Sequence, residues 1–337
     1  MKKIACLALS AILLLSLAAC GRSAEPVRQE LFAMDTYMSL AAYGDDAQEA
    51  LTAAVREINR LERELSRTIA TSDVYKINAG GAAAVSDETA ALLQSAIACS
   101  EKTGGLFDVT IAPLVTLWGI TTDSPRVPAQ SEIASLLPLV GSEHIHIDGN
   151  SVALDSGCGV DLGGIAKGYA SDRVAEILRQ HGVTGAAVSL GGNVYVCGQK
   201  PDGSVWNVAV QDPKDTSAYA MTLALTDTFA VTSGGYQRYF TAEDGTVYQH
   251  ILDPRTGRPA ETDLLSVTVI AQNGTMADAY STALYVMGEE AACDFWRQSG
   301  GFDLVLITAD GRVLYTPDLA DHISQKGAGY DFRQIPT

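Results

Sequence analysis

A short run before a helical pattern combines an acid, two glycines and a lysine in an order suited to phosphate binding. It extends from Val160 to Tyr169 and reads Val-Asp-Leu-Gly-Gly-Ile-Ala-Lys-Gly-Tyr. The Gly163–Gly164 turn would let a phosphate approach the backbone closely, with the Lys167 amine directed at its charge. Gly-Gly turns also join strands to helices in many folds, so this run alone leaves both interpretations open.

Two oxygen-bearing side chains later in the sequence have the spacing of neighbours on a helix. Asp278 and Thr282 are four residues apart in the run Ala-Asp-Ala-Tyr-Ser-Thr-Ala and therefore project from the same helix face. A carboxylate and a hydroxyl offer hard oxygen ligands, which suit Mg²⁺ better than a soft metal. An acid near the start of a helix can equally be a cap.

His250 stands at the end of a strand-like segment, directly before the turn residues Asp253 and Pro254. A histidine at such a rim can accept a proton at neutral pH or hydrogen-bond a phosphate. A structural histidine with satisfied hydrogen bonds is the alternative.

Apolar and glycine-rich runs indicate where a flat ligand could lie. Leu106 and Phe107 could cover one face of a ring while Asp108 binds its polar edge, although a helix stop followed by core packing explains them too. Glycine pairs at Gly191–Gly192 and Gly234–Gly235 suggest backbones that crowd one ligand, or simply tight turns.

The elements that must position these residues alternate between helical and strand-like patterns without a repeat. Loops are expected from Ser66 to about Val85 and over Thr121–Gln130, and the uneven mixture of antiparallel strands and helices predicts an α+β fold. The predicted helices are Ala47–Leu65, Asp87–Lys102, Ala166–Gln180 and Ala277–Met287. The predicted strands are Thr36–Ala42, Gly185–Leu190, Val194–Gly198, Val205–Val210, Tyr219–Leu225, Val247–Leu252 and Ser266–Ala271.

The charge balance of the chain bears on its partners. The 337 residues include 40 acids and 23 bases, for a net charge of −17. This charge disfavours nucleic acid as a partner and argues against binding to anionic lipid through a polybasic segment. Four cysteines follow the N-terminal segment, at positions 99, 158, 197 and 293. None forms a Cys-x-x-Cys pair, so no zinc or thioredoxin-like motif is present. Buried free thiols are expected, with disulfide pairing left open.

The first twenty residues have the pattern of an export signal. Lys2 and Lys3 precede an apolar run that ends at Leu-Ala-Ala-Cys, and a short apolar core behind positive charge is typical of a signal peptide. The segment resembles a bacterial lipoprotein processing site, which implies acylation of Cys20. We therefore expect a signal peptide over residues 1–19, a lipidated tether over 20–27 and one domain over 28–337. The protein would be held extracytoplasmically at the cell membrane, on the periplasmic side or the outer face.

Seven ordered blocks together resemble the ApbE family of FAD:protein FMN transferases. They begin at Met34-Asp35-Thr36 and include Gly-Leu-Phe-Asp, Asp-Leu-Gly-Gly-Ile-Ala-Lys-Gly, Ser-Leu-Gly-Gly-Asn, Thr-Ser-Gly-Gly-Tyr, His-Ile-Leu-Asp-Pro-Arg-Thr-Gly and Ala-Asp-Ala-Tyr-Ser-Thr-Ala-Leu. The resemblance implies a T-fold-related architecture of mixed antiparallel sheets with flanking helices. It also implies a Mg²⁺-dependent reaction in which FAD is cleaved, FMN is joined by a phosphoester to a Ser or Thr of an acceptor flavoprotein, and AMP leaves. The acceptor would be a subunit of a membrane redox pump or an extracellular flavoprotein.

The resemblance also assigns roles to individual residues. His250 and Asp278 would be catalytic, with His250 beside the pyrophosphate. The Mg²⁺ ligands would be the Gly164 carbonyl, Asp278 and Thr282, and Ser281 occupies a position where some members carry a second acid. Thr68 stands where some members have an aromatic FAD contact. The full set of implied FAD contacts is Met34, Thr68, Leu106, Phe107, Asp108, Asp161, Lys167, His250 and Leu252.

Three other functions are compatible with the same residues. In an FAD pyrophosphatase, water would replace the acceptor hydroxyl and yield FMN and AMP. A non-catalytic FAD-binding lipoprotein would store or deliver the intact dinucleotide. A general solute-binding lipoprotein is the third alternative, and the dispersed glycine and acid pattern favours it least.

Overall fold

The computed structural model describes residues 25–337, so the predicted signal peptide and Cys20 lie outside the described residues. The helices are α1 (Ala47–Leu65), α2 (Asp73–Asn78), α3 (Asp87–Lys102), α4 (Ala112–Trp118), α5 (Gln130–Leu136), α6 (Ala166–Gln180), α7 (Gly274–Met287) and α8 (Glu289–Ser299). Short 3₁₀ turns occur at Val109–Ile111, Leu137–Leu139, Ser142–His144 and Pro317–His322.

The strands in the first half of the described chain are β1 (Val27–Ala33), β2 (Thr36–Tyr43), β3 (Ala82–Ala84), β4 (Ile145–Asp148), β5 (Ser151–Leu154), β6 (Gly185–Leu190), β7 (Asn193–Gly198), β8 (Trp206–Gln211) and β9 (Tyr219–Leu225). Those in the second half are β10 (Thr228–Gly234), β11 (Tyr239–Thr241), β12 (Val247–Gln249), β13 (Leu252–Asp253), β14 (Arg258–Pro259), β15 (Leu264–Ala271), β16 (Asp303–Thr308), β17 (Arg312–Tyr315), β18 (Ile323–Lys326) and β19 (Asp331–Gln334).

A nine-stranded sheet organises the fold, in the order β1-β2-β6-β7-β10-β15-β16-β17-β19. Its neighbouring strands are antiparallel except for the parallel pair β17 and β19 at one edge. Two three-stranded sheets, β18-β9-β8 and β3-β5-β4, and two short hairpins complete the strands. This arrangement confirms the predicted α+β class with mixed antiparallel sheets.

The two faces of the large sheet bury different residues because side chains alternate along each strand. In β10, Phe229 and Val231 belong to the core beneath the helices, whereas Ala230 belongs to the core shared with β8 and β9. Helices α1, α6 and α7 cover the first face. In α1 apolar side chains at helical spacing form a stripe that faces the sheet, with Leu51, Ile58 and Leu61 fully inaccessible to solvent.

The local predictions succeed for helices and for several strands, since β6 and β9 also have the predicted bounds. The bounds of α1, α3 and α6 are those predicted. Helix α7 begins three residues before the predicted Ala277, because the Asn273 side chain accepts a hydrogen bond from the Met276 amide and caps an earlier start. The loop predicted after Ser66 in fact contains α2 and β3.

The strand predicted over Val247–Leu252 is wrong in its middle, where the chain leaves one short hairpin for another. His250 donates its amide to the Arg238 carbonyl, and the Gln249 side chain accepts the Ile251 amide at 2.8 Å. The segment is therefore divided into β12 and β13, and His250 lies in the interruption between them.

The thiols conform to the expected pattern. Cys99 and Cys293 are buried and unpaired, and Cys158 and Cys197 are partly buried and also unpaired. In the part of the chain that the structure describes, no helix is both long and apolar enough to cross a bilayer.

Candidate active site

A cleft of about 1250 Å³ opens where the β6–β7 turn, the end of β10 and the first turns of α6 meet α7. Every residue that the sequence analysis assigned to FAD or metal within the described chain lines it, except Ser281. The lining members of that set are Met34, Thr68, Leu106, Phe107, Asp108, Asp161, Gly164, Lys167, His250, Leu252, Asp278 and Thr282. Residues from six separate runs are thus brought to one cavity.

The Asp278 carboxylate is held by two donors from outside its own helix. The Gly168 amide in the first turn of α6 donates to Oδ2 at 2.9 Å, and Asn193 Nδ2 donates to Oδ1 at 3.3 Å. Asp278 is only 3% exposed. A carboxylate beside a helix N-terminus is favoured by the free amides there, so the charge is stabilised without a cationic side chain.

This contact requires α6 and α7 to cross closely. A Cβ added at Gly168 would lie 2.2 Å from the Gly274 carbonyl oxygen and 2.6 Å from Asp278 Cβ. Glycine at this crossing therefore brings the α6 amide within hydrogen-bonding distance of Asp278.

The predicted metal ligands differ in their access to the cleft. Thr282 and Gly164 both line it, and a Cβ built at Gly164 would lie 3.7 Å from Thr282 Oγ1. Ser281 is fully buried behind them. Its hydroxyl donates to the Asp278 carbonyl at 2.9 Å and lies 2.8 Å from Ser233 Oγ. Ser233 lines the cleft in its place and lies 3.3 Å from Thr282 Oγ1.

The donor set fits Mg²⁺ on its chemistry. Asp278 carboxylate, Thr282 hydroxyl and Gly164 carbonyl are hard oxygens, and Mg²⁺ commonly takes one or two carboxylates together with substrate phosphates and water. Residues 25–337 contain no cluster of three or more His, Cys, Asp or Glu that could cage a metal by themselves. Asn193 Oδ1 adds a further oxygen, since it is buried and has no hydrogen-bond partner in the described chain. Such an orphaned atom is unfavourable unless a ligand engages it.

Arg67, which the sequence did not predict at this site, lies beside the predicted phosphate-binding turn. Arg67 Nε lies 3.0 Å from Asp161 Oδ2, and Asp161 Oδ1 accepts the Gly163 amide at 2.8 Å. Lys167 Nζ donates to the Gly163 carbonyl at 2.9 Å. Two cationic side chains therefore flank this turn in a strongly acidic protein. We call the group Asp161, Gly164, Lys167, Asp278 and Thr282 the polar end of the cleft.

An apolar part of the cleft is referred to below as the apolar wall, and its member Phe107 lies beside Gly164. The apolar wall consists of Met34, Leu106, Phe107, Ile111 and Leu252. Asp108 lies next to this wall but its carboxylate is already engaged, by Ser100 Oγ at 2.9 Å and by the Thr110 amide at 2.8 Å. In this structure Asp108 therefore anchors the segment that presents Leu106 and Phe107.

His250 lines the cleft as a neutral imidazole. Its pKa is lowered from 6.5 to about 4, chiefly by burial and then by the positive charges of Arg238 and Lys167. His250 Nδ1 lies 3.2 Å from the Arg238 carbonyl oxygen. Because a carbonyl can only accept, Nδ1 carries the proton and Nε2 retains a free lone pair. That tautomer can accept a proton from an incoming hydroxyl.

The β1–β2 hairpin forms one rim of the cleft. Met34 and Asp35, at its tip, have φ angles of 48° and 59°, the left-handed conformations that a two-residue hairpin turn requires. The Glu62 side chain accepts the Met34 amide at 2.8 Å, and Arg238 donates to the Asp35 carbonyl at 2.5 Å. These contacts fix Met34 against the cleft.

Several residues that shape the site carried no individual signal. Asn193 lies within the noted Ser-Leu-Gly-Gly-Asn run, but its contact with Asp278 spans 85 residues. Arg67 and Arg238 reach the site through tertiary contacts alone.

Comparison with known proteins supplies independent findings. The sequence profile of the ApbE family matches residues 34–306. An FAD:protein FMN transferase of Treponema pallidum is 34% identical over 92% of this chain and 93% of its own length. One from Klebsiella pneumoniae is 34% identical over 88% of this chain and 94% of its own.

Solved structures agree with these matches. The ApbE protein of Thermotoga maritima superposes with a TM-score of 0.80 at 33% identity, covering 86% of this chain and 96% of that one. The apo flavinyl transferase ApbE of Pseudomonas stutzeri superposes with a TM-score of 0.76 at 31% identity, covering 85% and 92%.

Proposed function

This chain belongs to the ApbE family, and from that membership we propose that it transfers FMN from FAD to a protein hydroxyl. FAD is cleaved at its pyrophosphate, FMN becomes joined to a Ser or Thr of an acceptor flavoprotein through a phosphoester, and AMP is released. The observation that carries the proposal is a single cleft lined both by the apolar wall and by the polar end. Such a cleft suits a ligand with a flat ring and a charged pyrophosphate.

The two parts of the cleft divide the dinucleotide between them. The flavin would lie against Met34, Leu106 and Phe107, where apolar area is available. The pyrophosphate would lie at the Gly163–Gly164 turn, where backbone amides and Lys167 favour an anion. Mg²⁺, held by Asp278, Thr282 and the Gly164 carbonyl, would supply neutralisation of phosphate charge as the bond breaks.

His250 provides the proton acceptor for the transfer. The acceptor hydroxyl oxygen forms a bond to the FMN phosphorus while the bond from that phosphorus to the bridging oxygen breaks. The hydroxyl proton passes to Nε2 of neutral His250, and AMP leaves with the bridging oxygen. The attacking hydroxyl and the leaving AMP must lie in line about phosphorus. A fixed position for the pyrophosphate is therefore as important as proton transfer.

The N-terminal sequence supports a location for this reaction. Acylation of Cys20 would hold the domain at the extracytoplasmic membrane surface, and more than one acyl chain gives stable anchoring. The acceptor would be a redox-pump subunit or an extracellular flavoprotein whose target Ser or Thr is exposed on that side. Nucleic acid is not expected as a partner, given the net charge of −17.

Incubation with FAD, Mg²⁺ and a candidate acceptor tests the proposal. The expected result is flavin fluorescence that migrates with the acceptor on a denaturing gel, and AMP in solution. Free FMN and AMP without a labelled acceptor would instead indicate an FAD pyrophosphatase. Intact FAD that remains bound would indicate a storage or delivery lipoprotein.

A further inference from the structure

Exposed aromatic side chains gather at the mouth of the cleft. Residues 25–337 contain seven large hydrophobic side chains that are strongly exposed, and three of them are Phe32 at 69%, Tyr37 at 58% and Tyr239 at 54%. Phe32 and Tyr239 line the cleft itself. Tyr37 is the cross-strand partner of Phe32 in the β1–β2 hairpin, so the two side chains share one face of that hairpin. We call these three residues the aromatic rim.

Contacts between Arg238 and Asp35 hold the backbone segments that carry the aromatic rim. Tyr239 follows Arg238, which donates to the Asp35 carbonyl at 2.5 Å and lies 3.4 Å from Asp35 Oδ2. Arg238 thereby ties the strand that carries Tyr239 to the hairpin that carries Phe32 and Tyr37. Aromatic groups held in place lose little conformational freedom on binding, which favours their use as contact residues.

Neither the fold nor the proposed FAD site accounts for these aromatic groups. All three side chains are mostly in solvent, so they contribute little to the core. The cleft that Phe32 and Tyr239 line measures about 1250 Å³ and is open to solvent. Exposed Phe and Tyr at a cavity mouth are typical of protein contact surfaces.

We propose that the aromatic rim docks the acceptor polypeptide, through an apolar side chain that flanks the target Ser or Thr. The inference rests on the proposed transfer, since a protein hydroxyl must enter the cleft to reach the pyrophosphate. The rim is continuous with the cleft, and the charges of the adjacent Arg238 and Asp35 are paired with each other. Apolar contact rather than charge therefore selects the segment, and the acceptor lies across the hairpin as its hydroxyl approaches His250.

Alanine substitutions of the rim separate acceptor binding from FAD binding. The variants are Phe32→Ala, Tyr239→Ala and the double variant. Tyr75→Ala is the matched control, because Tyr75 is 41% exposed on α2 and does not line the cleft. The probes are the flavoprotein subunit that the gel assay labels and its variant with the target Ser or Thr changed to Ala, which binds without reacting.

The double variant is expected to raise the KM for the acceptor, and the Kd of its unreactive form, at least tenfold. FAD affinity measured without acceptor should stay within twofold, and Tyr75→Ala should change neither value. Unchanged acceptor constants would overturn the proposal while leaving the transfer activity intact. Parallel weakening of FAD binding would assign the rim to the dinucleotide, and loss of vesicle binding alone would assign it to the membrane surface. Failure of the unsubstituted protein to label any acceptor would instead refute the transfer itself.

Discussion

At the scale of single residues, the account depends on Asp278. Its carboxylate is buried, held by the Gly168 amide and by Asn193, and directed into a cleft with other hard oxygens. A buried carboxylate without a cationic side chain partner suggests a charge retained for a bound cation.

Asp278→Asn is expected to lower FMN transfer at limiting Mg²⁺ by at least about a hundredfold, because the shape is kept and the ligand charge is lost. Transfer rates across a Mg²⁺ titration, together with Mn²⁺ binding followed by electron paramagnetic resonance, measure the effect. Asn193→Ala should weaken Mn²⁺ binding less than Asp278→Asn. Near-normal transfer by the Asp278 variant at limiting Mg²⁺ would contradict the assigned role.

The environment of His250 predicts an unusual pH dependence. Its folded-state pKa of about 4 lies below the ordinary value of 6.5, so the imidazole stays neutral and able to accept a proton throughout the range from pH 7.5 to 5.5. Transfer should therefore show no loss centred near pH 6.5, and His250→Ala should lower kcat by about 10²–10⁴-fold. A rate that titrates with a pKa of 6.5 in the native protein and not in the variant would exclude this environment.

Burial of neutral His250 also links stability to pH. His250 binds a proton near pH 6.5 in the unfolded chain but only near pH 4 in the folded chain. The contribution of neutral His250 to the free energy of unfolding is therefore fully present above pH 6.5 and is lost as pH falls from 6.5 to 4. Urea unfolding of the native protein should show this decline, and His250→Gln should show less of it.

At the scale of elements, the crossing of α6 and α7 sets the geometry of the polar end. Gly168→Ala should lower the free energy of unfolding by about 1–3 kcal/mol, because its Cβ would overlap backbone and side-chain atoms of α7. It should also weaken Mn²⁺ binding, since Asp278 is displaced. Gly159→Ala is the control, with contacts of 3.5 Å or more for the added Cβ. Equal urea midpoints for the two variants would show that the crossing is not tight.

The sequence predicts elements with local signals better than contacts between them. The apolar stripe of α1 and the spacing of Asp278 and Thr282 depend on helical periodicity, and the structure confirms both features. The break at His250 depends on hydrogen bonds to Arg238 and Gln249, so a continuous apolar pattern misled the strand prediction.

Tertiary placement explains the remaining differences at the site. Ser281 follows Tyr280 on α7 and points to Ser233 rather than to the cleft. The relation of Asn193 to Asp278 depends on how β7 lies beside α7, which no local pattern encodes. Twelve residues implied by the family resemblance line the cleft, whereas the contacts of Arg67, Asn193 and Arg238 there required the structure.

At the scale of the whole molecule, the cleft of an acidic chain brings charges of both signs together. The net charge is −17, yet Arg67, Lys167 and Arg238 all line the cleft. These side chains can offset lining carboxylates such as Asp161 and Asp278 where the pyrophosphate is proposed to bind.

Anchoring is separable from catalysis on this account. Cys20→Ala should shift the protein from the membrane fraction to the soluble fraction, because the proposed acyl chains can no longer be attached. A chain that starts at residue 25 should label a soluble acceptor at the native rate. Fractionation and the gel assay measure the two effects, and persistent membrane association of the Cys20 variant would contradict the lipid anchor.

The most direct test of the central claim is a crystal structure with FAD and Mn²⁺, using anomalous scattering to locate the cation. The account predicts an anomalous peak bound by the Asp278 carboxylate and Thr282 Oγ1, with the pyrophosphate between that peak and His250 and the flavin against Phe107. A pyrophosphate bound elsewhere in the cleft, with both side chains free of the cation, would contradict it.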